Sequence, residues 1–221
     1  MSWLDTLDDI RTRDFSKVPV KERDKTARDV INMCSYAAAL VAISPLPLSD
    51  VVLTLPIQTA MVITVGHVYG RKVSKASARD LILELGTTAG VGLLARQGIK
   101  ALIPVFGALL TVAPAFAANW AMGRVAMEYF QHPDLSRENL KEVFRRARTE
   151  GSSLFSKDAF DRFRKQNTKA VEDVAKEASE EEQAEAPAPK KKASAKKPQR
   201  KAAAKKPASK KPASKRTSAR Q

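Results

Sequence analysis

The sequence predicts an all-α fold: an apolar helical bundle or set of hairpins, a charged helical extension and a disordered basic tail. Residues 30–130 carry 11 charged side chains in 101 positions. Their apolar runs, rich in Ala, Leu and Met, are much longer than the roughly 4–8 residues of a buried strand, which favours helices. The last 32 residues carry 14 Lys or Arg and no Asp, Glu, Gly, Leu, Ile, Val or aromatic residue. Because this segment has no apolar area to offset its ordering entropy, we expect it to be disordered.

Changes in composition divide the chain into four segments. They are a charged N-terminal segment (1–29), an apolar helical domain (30–130), a charged helical extension (131–186) and a Lys/Ala/Pro-rich polycationic tail (187–221). The formal net charge of +15 belongs to the tail, because residues 1–189 hold 25 basic and 24 acidic side chains. The basic pI therefore says nothing about the surface of the body.

The N-terminal segment contains the pattern of a short amphipathic helix. Trp3, Leu4, Leu7 and Ile10 are three or four residues apart, a spacing that places them on one helical face. We expect this face to dock on the body of the protein, with a bilayer surface as the alternative. The first residues lack the basic stretch and apolar run of a secretory signal, which predicts cytoplasmic synthesis.

Prolines, glycines and capping residues indicate where the helices of the apolar domain end. The two prolines of Ser44–Asp50 predict a turn. Gly70 is expected to take the left-handed position that closes a helix, with cations following it. Ser77 or Asp80 is expected to begin the next helix, which would run to about Gly98.

After Pro133 the chain becomes strongly charged. Ser136 is expected to cap a helix that runs to about Arg148 and ends at Gly151. Ser156 is expected to begin the following helix, which fades into the acidic run around Glu180.

Three windows without Asp, Glu, Lys or Arg raise the question of a membrane. Val30–Ser49, Val51–Gly70 and Ala101–Gly123 contain 20, 20 and 23 residues, and a spanning helix needs about 20. The first two predict a spanning or re-entrant hairpin whose basic flanks lie in the cytoplasm. Their prolines and small or polar residues weaken this interpretation. The alternative is a soluble bundle whose central helices are covered on every side, and the sequence favours membrane insertion or deep association.

The apolar region resembles the bacterial domain-of-unknown-function family 697 over residues 30–130. The segments that carry the resemblance, in this order, are Ile43–Asp50, Pro56–Met61, Val68–Gly70, Leu85–Gly92, Ile103–Gly107 and Glu128–Phe130. Members of that family are often fused to, or associated with, small Ras-like GTPases, and some are described as inner-membrane proteins. The resemblance therefore implies a helical, membrane-related module that serves a GTPase. It brings no catalytic residues, and this chain carries no GTPase domain of its own.

The sequence contains no pattern that predicts catalysis, a cofactor or a metal ion. No Gly-x-x-x-x-Gly-Lys-Ser/Thr occurs, which excludes a P-loop. His67, His132 and Cys34 are too few for a dedicated metal site. We expect His67 to be structural and Cys34 to be an inert, buried thiol, since one cysteine cannot form an intrachain disulfide. Arg124 and Glu128 are four residues apart, as an ordinary ion pair would be.

Two sets of basic residues are the candidate binding sites. The first would form a basic juxtamembrane loop and consists of Arg71, Lys72, Lys75 and Arg79. The second is the polyanion-binding tail, whose cations are Lys190, Lys191, Lys192, Lys196, Lys197, Arg200, Lys201, Lys205, Lys206, Lys210, Lys211, Lys215, Arg216 and Arg220. The tail resembles the tails of linker histones in composition, and we expect it to bind DNA, RNA or anionic lipid without sequence specificity.

These observations favour a non-enzymatic, membrane-associated binding or scaffolding protein. Its helical body would anchor at the bacterial inner membrane, at a small GTPase partner or at both, with the termini and tail in the cytoplasm. The alternative is a soluble, oligomeric, histone-like DNA-binding protein of the nucleoid or of a granule. No cofactor is expected in either case.

Overall fold

A computed structural model describes residues 2–43, 50–88 and 107–185 of the protein. Within these ranges seven helices and no strand are present, which confirms the all-α prediction. The helices are α1 (Trp3–Thr12), α2 (Val20–Val41), α3 (Asp50–Val68), α4 (Lys75–Thr88), α5 (Gly107–Gln131), α6 (Arg137–Leu154) and α7 (Lys157–Glu185). The predicted proline turn at 45–47 and the tail at 187–221 lie outside the described residues.

Helix α1 packs on the body, as its amphipathic pattern predicts. Ser2 and Asp5 form a reciprocal capping box that fixes its first turn. Trp3, Leu7 and Ile10 are buried, on the side of the helix that contacts α2, α3 and α7. The backbone N–H of Trp3 donates to Oδ1 of Asn167 in α7 over 2.9 Å. The helix is therefore held by an apolar face and by directed hydrogen bonds.

Helix α3 lies at the centre of the bundle. It packs against α1, α2, α4, α5 and α7, and no side chain from Thr54 to Tyr69 is exposed. Ile57, Met61 and Val65 are completely buried there. Neighbouring helices therefore cover the apolar residues that gave this segment its lipid-like composition.

No helix within the described ranges is both long and apolar enough to cross a bilayer. The predicted transmembrane helices are thus not seen in the part of the chain that the structure describes. Two of the helices concerned also carry charged or polar residues. The first ten residues of α2 include seven charged side chains, and α5 carries Asn119, Arg124 and Glu128 along its length. Helix α2 also continues through residues 29 and 30. The predicted boundary between the charged N-terminal segment and the apolar domain therefore falls inside one helix.

Two helix ends differ from the sequence prediction. Helix α4 begins at Lys75 rather than at Ser77 or Asp80, because the Ser74 hydroxyl accepts a hydrogen bond from the N–H of Ser77. Helix α6 continues past Gly151 to Leu154. Gly151 is buried in this helix, and a Cβ atom there would lie 3.0 Å from Ala117 Cα and from Trp120. Its role is to permit close packing of α5 against α6.

An aromatic cluster joins the C-terminal helices to the centre of the bundle. Tyr36 of α2 lies 4.6 Å, centroid to centroid, from Phe116 of α5 and 5.9 Å from Phe163 of α7. Phe155, between α6 and α7, contacts both Tyr36 and Phe116. Rings at these separations add attraction beyond their buried area. The charged extension is therefore part of the same core as the apolar region.

Candidate functional site: a cationic cavity at the turn from α3 to α4

The turn between α3 and α4 has a fixed backbone at both ends. Gly70 adopts φ +72°, as predicted, and the N–H groups of Gly70 and Arg71 donate to the carbonyl oxygens of His67 and Gly66 over 2.9 and 2.8 Å. This pair of hydrogen bonds is the Schellman motif, which ends a helix and reverses the chain. Ser74 caps the start of α4 four residues later. Residues 71–73 are thus held between two defined caps.

A cavity of about 290 Å³ opens beneath this turn. Its wall is apolar and is formed by Val73, Leu81, Tyr129, Phe130 and Pro133. Two cations and one hydroxyl also belong to the lining, from Arg71, Lys72 and Ser77. None of the described residues contributes a carboxylate to this lining. The volume is close to the lower end, about 300 Å³, of the range for small-molecule sites.

Gly66 allows the cavity wall to approach the central helix. A Cβ atom at this position would lie 2.7 Å from Cγ2 of Val73 and 3.2 Å from Cζ of Phe130. Carbon atoms essentially never approach to 2.7 Å and seldom to 3.2 Å, so a side chain at Gly66 would displace Val73 and press on Phe130. The absence of a side chain at residue 66 therefore allows the turn, α3 and α5 to come into contact here.

Three polar side chains link α2, α3 and α5 at the same end of α3. The Tyr69 hydroxyl donates to Oδ1 of Asp24 over 2.7 Å. Nε2 of Gln131 donates to the same carboxylate oxygen over 3.0 Å and to the Tyr69 hydroxyl over 2.7 Å. Burial and the hydrogen bond to Asp24 raise the pKa of Tyr69 above its ordinary value. Tyr69 and Gln131 are adjacent in sequence to Gly70 and Phe130, so this triad braces the elements that form the cavity.

The structure brings together only part of the predicted basic loop. Arg71, Lys72 and Lys75 are exposed, whereas Arg79 is half-buried. Arg71 and Lys72 line the cavity; Lys75 and Arg79 do not. The positive end of the α4 helix dipole adds to the same sign of potential. All fourteen predicted tail cations lie outside the described residues.

The sequence did not reveal the apolar wall or the triad. The Glu128–Phe130 segment, which carried part of the family resemblance, supplies two of the wall residues. The other members come from residues distant in the chain, and no periodicity or spacing connects them. Only the packing of α4 against α5 places Leu81 beside Phe130.

His67 and Cys34 have structural surroundings, as predicted. Nε2 of His67 lies 2.8 Å from the carbonyl oxygen of Arg13, so this nitrogen carries the proton and donates it. Burial raises the pKa of the Cys34 thiol to about 12. Among the described side chains no group of three or more His, Cys, Asp or Glu is placed to hold a metal ion.

Arg124 pairs with a different residue from the one that the sequence suggested. Its Nε lies 4.0 Å from Oε2 of Glu150 on α6, and its Nη1 lies 3.8 Å from the sulfur of Met127. The pair links α5 to α6, the two helices that also meet at Gly151. It is an interhelical contact rather than a pair along one face of α5.

Comparison with known proteins identifies the family. Residues 11–151 match the family described as Domain of unknown function (DUF697). The chain belongs to this family. The match extends beyond residues 30–130 at both ends, from the last two residues of α1 through most of α6. The chain is also 27% identical over 164 residues to magnetosome membrane protein 22 of Magnetospirillum gryphiswaldense, an alignment that covers 69% of this chain and 82% of that protein. No solved structure matches the chain.

Proposed function

We propose that this member of the DUF697 family is a non-enzymatic binding protein that works at a membrane. The observation that carries the proposal is the similarity to magnetosome membrane protein 22, which covers most of both chains. The exposed cations Arg71 and Lys72 beside the apolar cavity support it, because each Lys or Arg close to an anionic leaflet contributes about 1 kcal/mol. The helical body would supply the specific contact, and the tail would supply nonspecific attraction.

Vesicle flotation tests this function. The full chain is mixed with phosphatidylcholine vesicles that contain or lack phosphatidylglycerol, and the fraction that floats is measured over a salt series. We expect flotation with the anionic vesicles that weakens as salt rises. The matched chain ends at residue 186, where the first compact unit ends. At low salt this shorter chain should float less than the full chain, but it should still prefer anionic vesicles to neutral ones. Failure of both chains to float would contradict the proposal.

In the proposed arrangement the tail holds polyanions on the cytoplasmic side of the inner membrane. Its cations would release counterions from phosphates, and neutralising about six phosphates would give a log–log salt slope near −5. Duplex DNA binding of the full chain and of residues 1–186 measures this contribution. Equal binding of the two at low salt would show that the tail is not a nucleic-acid ligand. Strong DNA binding by a defined oligomer that ignores vesicles would favour the histone-like alternative.

The protein partner in this proposal is a small GTPase, which the family resemblance implies. The test is binding of purified small GTPases from the same cell to the full chain, each loaded with GDP or with a nonhydrolysable GTP analogue. We expect one of them to bind with a preference for one nucleotide state. Equal, weak retention of every GTPase in both states would remove this part of the proposal.

A further inference from the structure

We infer that the cavity under the α3–α4 turn binds one anionic phospholipid, with the phosphate at Arg71, Lys72 and Ser77 and the glycerol and first acyl carbons against the apolar wall. This inference rests on the proposed membrane function and names the ligand of the site. It assigns the body a lipid site that is separate from the nonspecific charge of the tail.

The charges of the site select an anion. Arg71 and Lys72 line the cavity, and both side chains are exposed to solvent. Among the described lining residues there is no carboxylate that would compete for them. The Ser74 and Ser77 hydroxyls lie 2.8 Å apart, and when Ser74 is the donor of this pair the Ser77 proton can point at an oxygen bound in the cavity. The first turn of α4 adds the positive end of its dipole.

The wall of the site selects an amphiphile rather than a free anion. Val73, Leu81, Phe130 and Pro133 offer no hydrogen bond from their side chains, and Tyr129 adds a largely apolar ring. A bare phosphate would leave this surface covered by water. Each apolar carbon placed on it is favourable, because apolar surface is removed from water. A volume of about 290 Å³ admits the region around the glycerol but not two complete acyl chains, which would stay in the bilayer.

The backbone of the site is built before the ligand arrives. The caps at Gly70 and Ser74 fix the turn, and Gly66 lets Val73 and Phe130 meet the central helix. The Asp24–Tyr69–Gln131 triad holds the helix ends on either side. A site that is already ordered loses little conformational entropy when it binds.

Isothermal titration with a short-chain lipid tests the inference apart from vesicle binding. The probe is dihexanoyl phosphatidylglycerol below its micelle concentration, titrated into the full chain, with dihexanoyl phosphatidylcholine and glycerol phosphate as comparison ligands. We expect saturable binding of one phosphatidylglycerol per chain. Phosphatidylcholine should bind at least about tenfold more weakly, because its head carries no net charge for the two cations. Equal binding of glycerol phosphate would overturn the amphiphile assignment.

Two variants locate the binding. Arg71→Ala with Lys72→Ala should weaken phosphatidylglycerol binding about tenfold or more, and Ser77→Phe should do the same without a change in charge by filling the cavity. The matched control, Arg162→Ala with Lys165→Ala, removes one Arg and one Lys that are exposed on α7, and it should bind like the parent. Circular dichroism melts verify that each chain is folded. If Ser77→Phe does not fold, the charge pair and its control still decide the outcome.

The possible failures are distinguishable. If the full chain floats with anionic vesicles but does not bind the short-chain lipid, the lipid site is wrong and the membrane function stands. If neither occurs, both are wrong. If the short-chain lipid binds equally to all variants, it binds elsewhere and the site is wrong. Binding of a Leu-containing acidic peptide to the cavity in the absence of lipid binding would make it a protein-docking surface and overturn the inference.

Discussion

The Tyr69 hydroxyl donates a 2.7 Å hydrogen bond to Asp24, a residue 45 positions earlier in the chain. Gln131 bonds to both partners, so α2, the end of α3 and the end of α5 are tied at one point. We expect Tyr69→Phe to lower the free energy of unfolding by about 1–2 kcal/mol, because it leaves Asp24 and Gln131 each short of a partner. Urea unfolding measures the change.

Tyr36→Phe is the control for that prediction. The Tyr36 hydroxyl accepts a single long hydrogen bond, 3.4 Å, from the N–H of Ser156. Its removal should cost less than the removal of the Tyr69 hydroxyl, while the packing of both rings with the core remains. A larger loss for Tyr36→Phe than for Tyr69→Phe would contradict the importance assigned to the triad.

The raised pKa of Tyr69 predicts a difference in alkaline stability. Burial and the hydrogen bond to Asp24 keep the phenol neutral in the folded state, whereas the unfolded chain ionises near pH 10. The stability that this group contributes is complete below the unfolded pKa and is lost as pH rises through the folded pKa. Melting temperatures from pH 8 to 11 should therefore fall more steeply for the parent than for Tyr69→Phe. Parallel curves would show that Tyr69 ionises freely.

Gly123 permits a close approach of neighbouring side chains in the bundle. A Cβ atom there would lie 2.6 Å from Cγ2 of Ile31 and 2.9 Å from the sulfur of Met61. We expect Gly123→Ala to destabilise the protein by about 1–3 kcal/mol through overpacking. Gly123→Ala should lower the free energy of unfolding much less in an Ile31→Ala background. That background removes the two carbons of Ile31, Cγ1 and Cγ2, that the new Cβ atom would meet. Additive effects in this double-mutant cycle would argue against the steric cause.

Arg11 is the main polar attachment of α1 to the body. Its Nε donates to Oγ1 of Thr64 over 2.7 Å and its Nη2 donates to the carbonyl oxygen of Ala60 over 2.9 Å. Arg11→Ala should raise hydrogen exchange in residues 3–12 while the exchange of α3 and α5 stays slow. Arg11→Lys should restore little, because an ammonium group cannot make both bonds with the same planar geometry. The exposed Lys17 provides the control substitution to Ala, which should leave exchange unchanged.

Cys34 should be unreactive in the folded protein. Its side chain is fully buried, and burial raises the pKa of its thiol to about 12. A reagent therefore cannot reach the sulfur, and little of the reactive thiolate is present at neutral pH. An aromatic disulfide reagent at pH 8 is expected to modify it only as fast as the protein opens, and quickly in denaturant. Rapid stoichiometric modification without denaturant would contradict the packing of α2 described above.

Much of the local structure could be predicted from sequence because it depends on neighbours in the chain. Trp3, Leu7 and Ile10 are spaced for one helical face, and Gly70 precedes two cations where a helix must end. These are short-range constraints of backbone geometry and helix periodicity. The prediction that Gly151 ends a helix was wrong because sequence shows only the local constraint. In the sequence, a glycine that ends a helix cannot be distinguished from one that allows two helices to pack closely.

The candidate site could be predicted only in part. Arg71 and Lys72 were recognisable as a basic pair, but the wall that makes them a site comes from Leu81, Tyr129 and Phe130. Likewise, residues 24, 69 and 131 form a triad that no local pattern connects. Their proximity follows from the packing of α2, α4 and α5 around α3, which is a property of the whole chain.

The sequence alone determined that the chain is helical, that its helices begin and end near particular caps, and that its positive charge is gathered at one end. Periodicity, capping and composition are local, so they can be obtained from the order of residues. What covers the apolar surface of α3 was decided by tertiary structure alone. Lipid tails and a packed protein interior are almost equally apolar, and composition cannot distinguish them. In the structure five neighbouring helices pack around α3, and none of the side chains of residues 54–69 is exposed.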